Sequence, residues 1–234
     1  MDAGDPEPDT DGAQTAGGTR HYHGHRARLR GRVLKGDGSH LEDYELLEVL
    51  LCAFIPRVDV KPVAKEMLRR FGSVSAALAA PPERLKEIEG VGEGTAAYMR
   101  ATHLLLQRAA RDAVRARPVI SNWAALLNYV RSALRHESAE QVRALFLDRK
   151  NQLIADEVMG RGTVDHAPVY PREIARRGLE LAASAVILVH NHPSGDPTPS
   201  RADIEMTREI EKALAALDIR LHDHLIVGAG DTVS

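Results

Sequence analysis

The sequence predicts an α/β protein in two parts: a smaller all-α N-terminal domain and a C-terminal domain in which strands and helices alternate. Up to residue 117, apolar residues recur at helical spacing, whereas from residue 140 onward they include alternating and continuous runs typical of strands. Pro118 separates the two patterns, and since proline disfavours helix in the residue before it, the domain boundary is expected there. A length of 234 residues has room for one large or two small domains, each with its own core.

Residues 1–25 consist mainly of Asp, Gly, Pro, Thr and His. They offer too little apolar surface to offset the entropy of ordering, so a disordered tail is expected, in which His21, His23 and His25 form at most a weak metal tract. A short basic helix over residues 26–35 follows, read as a solvated face or a nucleic-acid contact. Leu46, Leu47, Leu50, Leu51 and Phe54 mark a core helix over residues 41–55, ended by Pro56. Asp59 can cap a third helix, with Pro62 in its first turn and Gly72 just past its end. Two short helices, residues 73–80 and 82–89, lead to Gly90-Val91-Gly92-Glu93-Gly94 and then a long Ala-rich helix to about Arg117.

In the second part, Ser121 is expected to cap a helix reaching His136, with Trp123, Leu126, Leu127, Val130 and Leu134 toward the core. A hairpin follows: a strand over residues 140–148, a turn at Arg149-Lys150-Asn151, and a return strand over residues 152–159. Pro171 opens a helix to Ala182, residues 185–189 form a buried β-branched strand, residues 200–217 a helix and residues 219–227 a last strand.

Composition narrows the function classes. Hydrophobic and charged contents of 44% and 27% suit a soluble globular protein, and a formal net charge of -2 excludes a global excess for binding polyanions. The single cysteine, Cys52, rules out an internal disulfide and a cysteine-built metal site; its apolar setting predicts an inert thiol. No charged segment leads into an apolar signal core and no apolar run reaches about 18 residues, so no membrane association and a cytoplasmic location are expected.

The chemistry is concentrated in His190-Asn191-His192-Pro193-Ser194-Gly195-Asp196-Pro197-Thr198-Pro199-Ser200-Arg201-Ala202-Asp203. In extended chain, residues i and i+2 point to one face, so both imidazoles can reach one point at the end of the buried strand. Ser200 is a natural N-cap, and Asp203 in the first helical turn can return its carboxylate to the histidines as a third ligand. Two imidazoles and a carboxylate suit zinc, one ion per chain, with a fourth position open for water as in catalytic sites. Ser-x-x-Asp is equally an ordinary capping box, and that reading stands beside the ligand reading.

The spacing His-x-His, seven residues, Ser-x-x-Asp matches the JAMM or MPN-plus metalloprotease motif. The run HNHPSGDPTPSRADI, with LFLD upstream and DHLIVG downstream, closely resembles the bacterial RadC family, from about Arg26 to the end. The adjacent letters HNH do not make an HNH nuclease, whose three residues are spread over a longer motif. The resemblance implies a JAMM/MPN-type α/β sandwich over residues 118–234 and a helix-hairpin-helix-like domain over residues 26–117. It implies a zinc-dependent peptidase or isopeptidase acting on a protein or peptide, with Glu140 as general base. Glu157 on the paired strand is the rival. Ser200 gains a second role, donating its hydroxyl to the oxyanion that forms as water attacks the carbonyl.

Asp223 and His224, in the second His-x-His at His222-Asp223-His224, match the family's Asp-His and are expected to orient the centre or pack the sheet. Arg161-Gly162-Thr163 also resembles family text, as a substrate-facing loop or a simple turn. The Ile-x-Gly-Val-Gly turn resembles a helix-hairpin-helix: Gly90, Gly92 and Gly94 would let the backbone approach a DNA phosphate, although Glu89 and Glu93 bring the wrong charge and a tight connection is the plainer account. Where family members run on for a short closing segment this sequence stops at Ser234, so an abbreviated last sheet edge is expected. The competing function is a DNA-associated repair or recombination module whose metal centre is structural or inactive. A metal-dependent nuclease is disfavoured, because such sites are rich in carboxylates rather than histidines.

Overall fold

The computed structural model describes residues 18–35, 37–115, 117–162 and 169–234. Its chain divides into two compact units, Met1–Arg100 and Ala101–Ser234. The division falls inside a continuous helix rather than at Pro118, because Ala110 and Val114 of that helix pack into the core of the second unit.

The first unit is helical throughout its described residues: α1 (Gly18–Val33), α2 (Asp43–Phe54), α3 (Lys61–Phe71), α4 (Val74–Ala79), α5 (Pro82–Lys86) and the start of α6 (Glu93–Arg115). Leu47 and Leu51 of α2, Ala64 and Met67 of α3, Leu85 and Met99 meet in one buried cluster, as the helical spacing requires. Val60 rather than Asp59 is the N-cap of α3, with Asp59 one residue earlier accepting from the Lys61 N–H, and Gly72 ends α3 in the left-handed conformation that glycine adopts without strain. Helix α1 begins at Gly18, so residues 18–25 are helical rather than part of a tail; residues 1–17 and the side chains of His21 and His23 lie outside the described parts. What ties this end down is polar: His25 Nε2 lies 2.6 Å from Glu48 Oε1, Arg26 donates to the Ile55 carbonyl at 2.9 Å and Arg32 to Glu45 at 2.9 Å. Part of the basic segment therefore serves to hold α1 on α2, while Arg28 and Arg30 remain exposed.

The second unit is a three-layer α/β sandwich. A 3-10 turn (Val119–Asn122) leads into α7 (Trp123–Leu134); Asn122 rather than Ser121 is the N-cap, and the Ser121 hydroxyl instead donates to the Pro118 carbonyl. Strands β1 (Gln141–Leu147), β2 (Leu153–Arg161), β3 (Ala185–Asn191), β4 (Arg220–Val227) and β5 (Thr232–Val233) form one sheet in the order β2-β1-β3-β4-β5. β1 runs antiparallel to β2 and β3, β3 and β4 are parallel, and β5 closes antiparallel on β4. The parallel pair needs a crossover, which α9 (Arg201–Ala215) provides; α8 (Pro171–Glu180) links β2 to β3.

Side-chain parity sorts the two faces. Leu145, Leu147, Ile187 and Val189 turn toward α7, while Ala144, Phe146, Val186 and Leu188 turn toward α8 and α9. Continuing that second row along β3 reaches His190, opposite Val142 of β1. The site therefore starts where an apolar face ends.

Candidate metal centre

His190 is fully buried at the end of β3. The His192 N–H donates to the Val227 carbonyl at 3.1 Å, which extends the β3 and β4 pairing one step past the strand and keeps both imidazoles on one side. The chain then folds sharply: the Gly195 N–H donates to the His192 carbonyl at 2.9 Å, with Gly195 at φ 89. Gly228 backs this turn so closely that a Cβ there would stand 2.5 Å from the Gly195 oxygen and 2.8 Å from Pro197 Cδ. Gly228→Ala is accordingly expected to destabilise the protein by about 1–3 kcal/mol, the usual range for overpacking. The denaturant midpoint of metal-free protein measures this, and an unchanged midpoint would show slack in the loop.

The turn delivers the chain to Ser200, the N-cap of α9. The Asp203 N–H donates to Ser200 Oγ at 3.2 Å, while the Ser200 N–H and hydroxyl donate to Asp203 Oδ2 at 2.7 and 2.6 Å. This is a complete capping box, and it aims the carboxylate at the histidines. Asp203 Oδ1 lies 3.3 Å from His190 Nε2 and Oδ2 lies 3.4 Å from His192 Nε2. The two sequence readings, cap and ligand, therefore describe one geometry.

Hydrogen-bond partners fix the imidazole tautomers. His192 Nδ1 faces the Asp196 carbonyl at 2.7 Å and must carry the proton, which leaves a lone pair on Nε2. The Thr207 hydroxyl donates to the Asp203 carbonyl at 2.6 Å, so it accepts from His224 Nδ1–H at 2.6 Å. His224 Nε2 then has a lone pair and accepts from His190 Nδ1–H at 2.7 Å, and His190 Nε2 is left unprotonated. The two bare Nε2 atoms stand 2.8 Å apart beside a carboxylate. Three acceptors turned on one point repel one another unless a cation lies among them, and His190, His192 and Asp203 are the group among the described residues with metal-ligand spacing.

The electrostatics agree. Burial, reinforced by His224, lowers the pKa of His190 to about 3, and burial lowers that of His224 to about 4. Both rings are neutral at neutral pH, the state a ligand requires. Burial works to raise the Asp203 pKa, but hydrogen bonds from the Ser200 hydroxyl and backbone, with the neighbouring imidazoles, hold it below the ordinary carboxylate value. The donor set fits one divalent ion.

A family profile described as RadC-like JAB domain matches residues 120–234. A UPF0758 protein of Rhodobacter capsulatus is 56% identical over 206 residues, covering 88% of this chain and 96% of that protein. This chain belongs to the RadC family. A UPF0758 protein of Ruegeria pomeroyi is likewise similar, at 55% identity over 204 residues, 87% of this chain and 91% of its own length.

Glu140 directly precedes β1, two residues before Val142, the partner of His190. Its carbonyl accepts from the Gly162 N–H at 2.9 Å, which holds Arg161-Gly162 beside it; Thr163 lies outside the described residues. Glu157 is engaged elsewhere: Arg177 grips both its oxygens at 2.6 and 2.7 Å and keeps its pKa low. Asp223 accepts from the His224 N–H and the Ser234 hydroxyl, each at 2.7 Å, and so fixes the backbone of β4. His222 turns to Asn151 Oδ1 at 2.7 Å, so the second His-x-His contributes only His224 to the centre.

Two contributors were not singled out from the sequence. Thr207 lies one helical turn after Asp203, a spacing that could have pointed to it. Asn191, between the two histidines, is buried; it accepts from the Gln141 N–H at 2.9 Å and donates to the Ala139 carbonyl at 3.1 Å, which anchors the segment carrying Glu140. In the first unit, Gly90 takes φ 86, and a Cβ on Gly92 or Gly94 would meet nothing within 4 Å. Cys52 is half-buried, and burial raises its thiol pKa. No helix among the described residues is long and apolar enough to cross a membrane.

Proposed function

We propose that this RadC-family chain is a zinc-dependent peptidase or isopeptidase. The supporting observation is the convergence of two unprotonated Nε2 atoms and a carboxylate on one point at the end of β3. Bound there, zinc would supply Lewis acidity to a scissile carbonyl and to an attacking water. Glu140 takes the proton of that water and passes it to the leaving amine. The Ser200 hydroxyl, which otherwise donates to Asp203, turns to the carbonyl oxygen as charge develops there. Thr207 and His224 hold His190 in the ligand tautomer throughout. Beside Asp203 a cleft of about 240 Å³, walled by Ile204, Ile226 and Val233, accommodates an apolar substrate side chain. A free half-buried thiol suits work in the cytoplasm.

The test is hydrolysis of a diverse peptide library and of isopeptide-linked substrates by zinc-loaded protein. Glu140→Gln is expected to lower the rate by about 10²–10⁴-fold while the zinc content stays unchanged. Equal rates would remove Glu140 from the mechanism. Absence of any cleavage by zinc-loaded wild-type protein would favour a DNA-associated module with a structural centre. The open space at Gly92 and Gly94 supports that second reading, with Gly90, Gly92 and Gly94 as the backbone contact.

A further inference from the structure

The sheet carries a second constructed site on the face turned away from His190. Gln141 and Arg143 alternate with Val142 along β1, so they project to the α7 side. There, a cavity of about 230 Å³ lies between β1, the end of β2, α7 and the C-terminal half of α6, lined by Arg108, Arg111, Arg143 and Arg161. Glu137 is the carboxylate in its lining.

Four guanidiniums in one cavity demand an account of their charge. Arg143 is matched: its Nε donates to Asp156 at 2.8 Å, its Nη1 donates to Gln141 at 2.8 Å, and the Tyr129 hydroxyl bonds the same Asp156 carboxylate. These partners fix the plane of the Arg143 group, and burial together with Asp156 raises the Tyr129 pKa, so its hydroxyl stays protonated. Arg111 is not matched in this way. Its Nε is buried with no hydrogen-bond partner among the described residues, a costly condition for a cationic donor. Arg108 and Arg161 are exposed at the rim, and among the described residues neither forms a salt bridge. With Asp156 assigned to Arg143 and Glu137 to one of the others, two positive charges remain without a counter-charge.

We propose that this cavity binds a phosphate dianion, as inorganic phosphate or as the phosphoryl group of a small ester. Two unmatched charges call for a dianion, and forked guanidinium donors match tetrahedral oxygens in pairs. An acceptor oxygen at Arg111 Nε would satisfy the buried donor. The cavity volume, many times the ~30 Å³ share of one water, leaves room for a small organic group beside the anion. The site is separate from the metal centre, across the sheet, with the Gln141 N–H on Asn191 Oδ1 linking their two walls.

Calorimetric titration of the full chain with inorganic phosphate and with glycerol phosphate tests this, in chelator and at constant ionic strength set by chloride. Saturable binding of one anion per chain is expected. Arg108→Ala combined with Arg161→Ala should weaken it about tenfold or more, with Tm in phosphate-free buffer unchanged, since both side chains are exposed. Arg111→Met should abolish binding and raise Tm in phosphate-free buffer, because it removes a buried unpartnered donor. Tighter binding of phosphate would identify the free anion as ligand; tighter binding of the ester would identify a phosphorylated metabolite. No saturable binding of either, the same affinity in the arginine variants, or binding of a short DNA strand alone would overturn the proposal.

Discussion

Replacing His192 by alanine is expected to lower the affinity for zinc by more than a hundredfold while leaving the fold intact. His192 follows β3 rather than lying within it, and its partly exposed side chain lies outside the apolar clusters that build the sheet's core. What is lost is one of the two lone pairs 2.8 Å apart. Disturbing only the groups that orient a ligand costs about 10–100-fold in affinity, and losing a ligand should exceed that. Thr207→Val provides the comparison: it deprives His224 Nδ1–H of its acceptor and should fall within the 10–100-fold range. Competition against a chromophoric chelator, with metal content measured on the same samples, separates the two effects. If His192→Ala bound zinc as tightly as the wild type, the ion would have to sit elsewhere.

Through His224 alone, metal-free protein is expected to lose roughly 3 kcal/mol of stability as the pH falls from about 6.5 to about 4. Burial lowers the His224 pKa to about 4 from its ordinary 6.5. Between those values the unfolded chain takes up a proton that the folded chain refuses, so acid favours unfolding; above about 6.5 both states are neutral and the contribution is fully present. His190, held near 3 by burial, adds to the loss over the same window and extends it to lower pH. Denaturant titrations at several pH values in the presence of chelator measure the slope, and His224→Gln should flatten it. Stability that stayed constant or rose as the pH dropped through this window would contradict neutral, buried imidazoles. With zinc present the dependence should steepen, because protons and the ion compete for the same Nε2 atoms.

Both expectations depend on features of different visibility in the sequence. His190 and His192 were legible because the two-residue period of a strand is a local property, and Ala185 to Val189 declare the strand. Asp203 was legible because capping acts over three residues, and the same geometry turns the carboxylate inward. The cap at Gly72, the hairpin turn and the break before β1 are local in the same sense. Other expectations gave way to tertiary structure, the boundary at Pro118 among them. Residues 18–25 look too polar to order, yet His25 and Arg26 find partners on α2 and its C-terminal end. Ser121 has the chemistry of a cap, but a 3-10 turn intervenes and Asn122 takes the position.

By itself, then, the sequence determined the order of helices and strands, the ligand triad and the turn that closes it, since each depends on neighbours within a few residues. Only the tertiary structure decided the rest. The parallel pairing of β4 with β3 brings His224 against His190, 34 residues apart in the chain, and that contact with Thr207 selects the tautomer that leaves His190 Nε2 unprotonated. The packing of α8 on the sheet gives Glu157 to Arg177, while the pairing of β1 with β3 sets Val142 opposite His190, just after Glu140. Proton positions and charge depend on which groups meet in space, and chain spacing does not encode that meeting.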